Sequence, residues 1–448
     1  MTKIARYGFY VFLSRLFEGV TAMANSIILA RLLGPAGRGK YALILSITIL
    51  LSALGALGVT DSNVYLINRG KYSINNFISN SICFAFCSSI LWLVTFLLFY
   101  RLIGYRLLPT LHLNEICLSL AVLPFILLTN YLQNILLGRG SINRFINVNI
   151  FFSISPLLFL TFFLLDLKLT LREAIYAYAL SYVATCFYTF WSCVRETKAF
   201  HFTPNAALAR ESLTYGLKSN TGTILQTARD QLEAIIIGYF MTSSSVGYYN
   251  VAIGISNKLQ MLPKSVSYLL FAEISKPDNE SGDVLTAKIT RNMLWIISPF
   301  VVILSLFFSK YIVLILYGRK FLPAQVPMSI LFGSVILSAF TFPLGSLFLG
   351  QGRPKVYLFA SAVSLITTLG LDMWLIPLLG LVGAAIANIF GLSAMAYVYL
   401  HIHRKNLPNS LSSFLLLNKD DKQLYVDLLC KIRSKASIQL ERIRKHII

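Results

Sequence analysis

The chain has 448 residues, 56% hydrophobic and only 13% charged, against roughly 45–50% apolar content in soluble domains, which excludes a water-soluble globular protein. Its formal net charge of +21, from 39 Lys and Arg against 18 Asp and Glu, would suggest nucleic acid in a soluble protein. In a membrane protein, basic cytoplasmic loops and anionic lipid head groups account for it, so no nucleic-acid partner is expected.

Apolar runs of about 20 residues, the length of a membrane-spanning helix, fall at 8–33, 40–67, 77–100, 114–137, 145–165 and 171–194. A second set falls at 214–241, 246–273, 289–317, 325–349, 355–377 and 380–402. The pattern predicts an all-α integral membrane protein of about 12 transmembrane helices in two six-helix lobes. Residues 1–194 form the first lobe, 195–213 a cytoplasmic linker, 214–402 the second lobe and 403–448 a basic cytoplasmic tail. Lys3 and Arg6 precede the first apolar run, Arg15 and Glu18 interrupt it, and no small-residue cleavage site ends it, so an uncleaved first helix is expected. Loops on the N-terminal side carry more Lys and Arg than those opposite, where Arg31, Arg38 and Lys40 lie in the first loop. That bias puts the N-terminus in the cytoplasm, and an even number of spans returns the C-terminus there.

The first loop, Gly34-Pro35-Ala36-Gly37-Arg38-Gly39-Lys40-Tyr41, nearly spells a phosphate-binding P-loop. Tyr41 replaces the magnesium-binding hydroxyl, no strand precedes it, and the charge bias places it outside, so a tight turn built from glycines is expected instead. The same segment opens an internal repeat. Ile27, Ile28, Gly39 and Tyr41 recur as Ile235, Ile236, Gly247 and Tyr249, an offset of 235 − 27 = 208. Leu137, Gly138 and Gly140 recur as Leu349, Gly350 and Gly352, an offset of 349 − 137 = 212. Six spans separate the copies, so a duplication would relate the halves by an axis along the membrane normal, an arrangement found mainly in transporters.

Charges within spans cost about 2.5–3.5 kcal/mol on insertion scales and face a bundle interior or a wet cavity. Arg15 and Glu18 sit at i and i+3 of the first span; Arg229 and Glu233 sit at i and i+4 of the seventh, with Asp230 beside them. The repeat makes these spans equivalents, so Arg15 and Arg229 are expected to line one central cavity, with the ion pairs Arg15–Glu18 and Arg229–Glu233 as the plainer structural alternative. Lys258 and Lys264 lie in the eighth span, where Pro263 predicts a kink and Lys264 can snorkel to an interface. Asp61 and Asp372 are candidates to carry a coupling proton or sodium, with a cap or a hydrogen-bonded core carboxylate as the simpler reading. His401 and His403 are too few for a metal site. In the tail, Leu424, Leu428, Ile432, Leu440, Ile443 and Ile447 recur at helical spacing among Lys and Arg, which predicts a basic amphipathic helix on the inner leaflet.

Ile27-Ile28-Leu29-Ala30-Arg31-Leu32-Leu33-Gly34-Pro35 through Gly39-Lys40-Tyr41, the Gly138-Arg139-Gly140 turn and Gly350-Gln351-Gly352 make the chain resemble a Wzx-type polysaccharide flippase of the MOP exporter superfamily, which moves O-antigen or capsule repeat units. The resemblance implies two MATE-like six-helix lobes forming a V around a cationic cavity. It also implies a multi-pass place in the bacterial inner membrane and an undecaprenyl-diphosphate-linked oligosaccharide as substrate, within O-antigen and lipopolysaccharide biosynthesis. Membrane lipids, a polysaccharide polymerase and chain-length machinery would be its partners. Arg15, Arg229 and Lys258 would hold the pyrophosphate, Arg offering bidentate hydrogen bonds as well as charge. Glu18, Asp230 and Glu233 would pair those charges or couple transport to an ion. No covalent chemistry, cofactor or metal is called for, so the chain is not expected to be an enzyme. The competing readings are a MATE-type exporter of small molecules, which would prefer a carboxylate-dominated cavity, a membrane glycan polymerase or ligase, and a lipid-binding scaffold.

Overall fold

A helix satisfies its own backbone hydrogen bonds in lipid, and every regular element among the described residues is helical. The computed structural model describes residues 3–104, 110–164, 170–197, 200–275, 282–404 and 414. The expected amphipathic tail helix lies outside them apart from Phe414, whose ring packs 5.8 Å from Phe340 and 5.3 Å from His403.

Helix α1 (Lys3–Gly55) is two arms joined at Gly34, whose φ of 67° is left-handed. Nη2 of Arg38 donates to Ser26 Oγ at 3.3 Å, although a straight helix would set residues 26 and 38 about 18 Å apart. The chain therefore reverses at Gly34. Pro35 opens the second arm, where its missing N–H is no loss. The tight turn expected over residues 34–41 is confined to this one residue: Gly37, Arg38 and Gly39 are helical, and the second pass begins at Pro35 rather than at residue 40.

The second arm continues through a break at Gly58 into α2 (Val59–Asn68). Helix α3 (Ile74–Phe99) follows, opened by a capping box between Ser73 and Asn76. Then come α4 (Leu113–Leu120) with α5 (Leu123–Gly138), α6 (Ile142–Leu164) and α7 (Leu171–Val194). The second half runs α8 (Ala206–Ser219), α9 (Thr221–Phe240), α10 (Ser243–Ile274), α11 (Gly282–Ile303), α12 (Ser309–Leu316), α13 (Gln325–Gly350), α14 (Pro354–Leu379) and α15 (Leu381–Arg404). With α4–α5, α8–α9 and α11–α12 each counted as one pass, the described residues make twelve passes. Eight helical runs are long and apolar enough to cross a membrane by length and composition, the first containing both arms of α1. Helices α7, α9 and α10 fall outside that group, and each carries polar side chains into the central cleft described below. Pro263, the expected kink, lies inside α10, which is helical on both sides of it, and residues 206–213, expected as linker, are the start of α8.

The repeat is visible in three dimensions. Helices α5 and α13 end at the equivalent glycines Gly138 and Gly350, and Gly140 and Gly352 are left-handed at φ 78° and 70°. A Cβ on Gly39 would lie 1.6 Å from the Ser243 carbonyl oxygen, and one on Gly247 would lie 2.2 Å from the Pro35 carbonyl oxygen. Under the 208 offset Gly39 maps to Gly247 and Pro35 to Ser243, so the two contacts are images of each other. This reciprocity is the signature of a twofold axis. It joins the two halves where α1 reverses and where α9 meets α10, here called the hairpin end. Arg31 reinforces the joint by donating from Nε to the Leu316 carbonyl at 2.9 Å and from Nη2 to that of Ile315 at 2.5 Å, and Ser26 and Tyr317 hydroxyls lie 3.4 Å apart. At the opposite end, where α1 starts and α15 ends, α8 docks on α2 through Gly216 and Gly58, and Lys71 pairs with Glu211.

Candidate substrate cleft

Between the halves, α1 packs against both α9 and α10, and two cavities open along their shared face. The one nearer the hairpin end has a volume of about 390 Å³ and is lined by Arg38, Asp230, Tyr249, Asn250, Lys258 and Tyr317, among others. The second, about 570 Å³, is lined by Glu18, Asp61, Asn130, Gln133, Asn149 and Tyr182, among others. Glu18 to Ala22 on α1, Ile49 to Ser46 on its second arm and Thr227 to Asp230 on α9 each step from one lining to the other. These steps are about one helical turn, or 5.4 Å, so the cavities are successive compartments of one cleft.

Two cations, Arg38 and Lys258, face one carboxylate, Asp230, in the inner compartment. Arg38 is 9% exposed, sits 5.5 Å from the Tyr41 ring centroid, and its Nε has no hydrogen-bond partner among the described residues. A buried guanidinium on a cavity wall is placed to pair with an anion, since a charge left unpaired in a low-dielectric site is costly. Arg38 was expected in an external loop. Its burial follows from the second arm starting at Pro35 and from the glycines that let this arm meet α10.

The expected site residues distribute unevenly. Lys258 and Asp230 line the inner compartment and Glu18 the outer one. Arg229 lines neither: its Nε and Nη2 donate to Asp230 Oδ1 at 3.0 and 2.8 Å, and Nη1 donates to Ser364 Oγ at 3.0 Å on α14. The ion pair expected between Arg229 and Glu233 is thus replaced by Arg229–Asp230. Adjacent residues on a helix point about 100° apart, and the pair bridges two faces of α9. Glu233 is fully buried and accepts from Tyr249 Oη at 2.5 Å and from Asn388 Nδ2 at 3.1 Å. The backbone of Arg15 is helical in α1 but its side chain lies outside the described residues. Lys264 is exposed and away from both compartments.

Asp372 departs from the hydrogen-bonded core carboxylate that was the simpler expectation. It is fully buried, and neither carboxylate oxygen has a hydrogen-bond partner among the described residues. It lies within electrostatic range of Glu233. Asp61 occupies the first turn of α2, as a helix-start carboxylate should, while lining the outer compartment. His403 pairs with Asp283 at 3.1 Å and ties α15 to α11. No group of three or more His, Cys, Asp or Glu able to hold a metal occurs among the described residues. Sequence reasoning missed Arg38, Asn149 and Asn388; the repeat had pointed at Tyr249.

The architecture has counterparts among solved structures. The chain superposes on the lipid II flippase MurJ in an inward closed conformation with a TM-score of 0.74 at 15% identity, covering 90% of each chain. An inward-facing multidrug resistance MATE family transporter of the MOP superfamily gives 0.71 at 17% identity, covering 88% of this chain and 95% of that one. The chain is therefore a multi-pass membrane protein with the two-lobed MOP superfamily fold. In sequence it is 29% identical over 205 residues to the probable low-salt glycan biosynthesis flippase Agl15 of Haloferax volcanii, a match over 45% of this chain and 43% of that relative. The chain thus matches less than half the length of this curated relative. The family described as Polysaccharide biosynthesis protein matches residues 28–326, that is 326 − 27 = 299 of 448 residues, and the chain belongs to that family.

Proposed function

We propose that this chain is a glycan flippase that carries an undecaprenyl-diphosphate-linked oligosaccharide repeat unit, as in O-antigen assembly, from the cytoplasmic to the outer leaflet of a bacterial inner membrane. The observation that carries the reading is the inner compartment, where Arg38 and Lys258 outnumber Asp230 between the two lobes. A pyrophosphate entering a low-dielectric site needs fixed positive partners, and a guanidinium adds directional hydrogen bonds. The family match and the relative described as a glycan biosynthesis flippase support the same substrate class.

The two lobes, the second opening with α8, rock about this site. The hairpin end is shut by the Gly39 and Gly247 contacts, so the cleft receives its head group from the opposite end, where α1 starts and which the loop charges place in the cytoplasm. The lipid chain stays in the bilayer while the sugars cross through the wet interior. Asp230 neutralises part of the cationic charge when the site is empty, and Arg229 positions Asp230 against α14. Intramembrane carboxylates mark proton and ion paths, and the buried Glu233 and Asp372 serve as the coupling pair. Arg15 and Glu18, on the approach from the termini, would meet the head group first. A polymerase and chain-length machinery would take the product.

The carboxylates Glu18 and Asp61 in the outer compartment favour one second reading, export of small cations. Both readings meet in one assay: transfer of radiolabelled undecaprenyl-diphosphate oligosaccharide across proteoliposome membranes by the intact chain, Arg38→Gln and Lys258→Gln at matched insertion. The flippase reading expects transfer by the intact chain and its loss in both variants. No transfer of any lipid-linked glycan, with efflux of a cationic dye, would replace it by the exporter.

A further inference from the structure

Helix α10 turns one polar strip to the inner compartment. Asn250, Gly254, Asn257 and Lys258 all line that cavity, and at 100° per residue they fall within an arc of about 100° on the helix. Ala252 and Ser256, on the other side of α10, are fully buried. Asn250 is half-buried and Asn257 exposed, and neither amide has a hydrogen-bond partner among the described residues. Gln260, on the flank of the same helix, has one: its Nε2 donates to Ser334 Oγ on α13 at 3.1 Å.

Between the two free amides, Gly254 is a glycine that neither backbone nor packing requires. It lies inside α10, its φ is not left-handed, and a Cβ there would meet nothing within 4 Å. Gly39 and Gly247 differ, since a Cβ on either would strike backbone of the other half. Glycine inside a helix is less stable than alanine, so position 254 keeps bare backbone on the cavity wall at a cost to the helix. The repeat separates this strip from the fold itself. Under the 208 offset, as in 250 − 208 = 42, Asn250, Asn257 and Lys258 map to Ala42, Ile49 and Leu50. The equivalent arm of α1 is helical with apolar residues at all three positions.

We infer that this strip is the seat of the diphosphate and that Gly254, Asn250 and Asn257 are binding residues of the cleft. The phosphates lie against the bare backbone at Gly254, Lys258 and Arg38 supply the charge, and the amide N–H groups of Asn250 and Asn257 donate to phosphate oxygens. This rests on the flippase reading, which supplies the diphosphate. Any side chain at 254 takes space that the phosphates occupy, so the glycine sets how closely the head group approaches α10.

The test is equilibrium binding of farnesyl diphosphate to the purified full chain in detergent, with Tm measured on the same samples without ligand. Gly254→Ala should raise Tm, as this replacement does at an unstrained helix position, and yet weaken binding by about threefold. Gly254→Leu, which fills the seat, should weaken it by about tenfold or more. Asn250→Ala and Asn257→Ala should each weaken it by about tenfold, the loss of one hydrogen bond to a charged group. Gly370→Ala, with equally open space at its Cβ and a position away from both compartments, should raise Tm and leave binding within about twofold. Binding within about twofold of native in Gly254→Leu, or in the variant lacking both amides, would overturn the seat; if Lys258→Gln still loses binding, the cationic site stands without it. A lower Tm in Gly254→Ala would make the glycine structural and also overturn the seat. No binding of farnesyl diphosphate by the intact chain would overturn both the seat and the flippase reading.

Discussion

Gly39→Ala tests alternating access at its tightest point. The new Cβ would lie 1.6 Å from the Ser243 carbonyl oxygen and 2.9 Å from the Gly247 nitrogen, whereas ordinary contact begins at 3.4 Å. The halves must part locally by 3.4 − 1.6 = 1.8 Å, and the obstructing atoms are backbone, which cannot swing aside. Overpacking of this kind costs about 1–3 kcal/mol, a shift of about 5- to 150-fold against the state closed at the hairpin end. Spin labels at Leu32 and Val326, exposed by 46% and 54% and one in each half, report that opening by pulsed electron paramagnetic resonance in a background lacking the six cysteines. Gly39→Ala should enrich the longer distance, and Gly247→Ala, its image through the twofold, should do the same. Gly370→Ala, with nothing within 4 Å of its Cβ, should leave the distribution unchanged. Native distances in both gate variants, with native transfer of the lipid-linked glycan, would refute the assignment of this contact as a gate.

Arg31→Ala removes two hydrogen bonds to the carbonyls at the end of α12. A cation at a helix C-terminus is worth about 0.3–1 kcal/mol when exposed, so the same label pair should shift by about two- to fivefold toward the open state, and no shift would place the closure in the glycines alone. Asp372→Leu, which exchanges an unsatisfied buried polar group costing about 1–3 kcal/mol for an apolar side chain of similar size, should raise the thermal unfolding temperature while abolishing the stimulation of transfer by an imposed ion or proton gradient. A lower unfolding temperature with coupling intact would count against its coupling role. At the other end, hydrogen bonds from Lys71 and then Tyr72 hold the Glu211 carboxyl below its ordinary range. A depressed value means that this contact stabilises the docked α8 above the ordinary carboxylate range and is lost as pH falls through the depressed value. Hydrogen-exchange protection over 206–219, corrected for the intrinsic pH dependence of amide exchange, should therefore fall on acidification in the native chain and lose that pH dependence in Glu211→Gln.

Much of the architecture was legible because lipid leaves a chain few choices. Long apolar runs must be helices, so most spans could be placed to within a few residues. The Gly39 and Gly247 echo, read from four identities, locates the symmetric joint between the halves. The signal at Arg38 was present but outweighed: Pro35 directly after Gly34 is a helix-start pattern, while the glycines around it argued for a turn. Those glycines are instead the flat surfaces through which two helices approach closely.

Read alone, the sequence shows a chain that spans a membrane as helices, a segment echoed in each half, and in-span charges on α1, α9, α10 and α14, because hydropathy, repetition and the cost of a charge in lipid are properties of single segments. Which of those charges share a space is set by how the helices pack. Arg229 and Asp230 are neighbours in the chain, yet Asp230 lines the cleft and Arg229 reaches Ser364 on α14. Arg38 and Lys258, 258 − 38 = 220 positions apart, meet in one compartment. A side chain's direction on a helix is local, but what it faces depends on how far the helix is rotated against its neighbours, and small residues at the crossing points set that rotation.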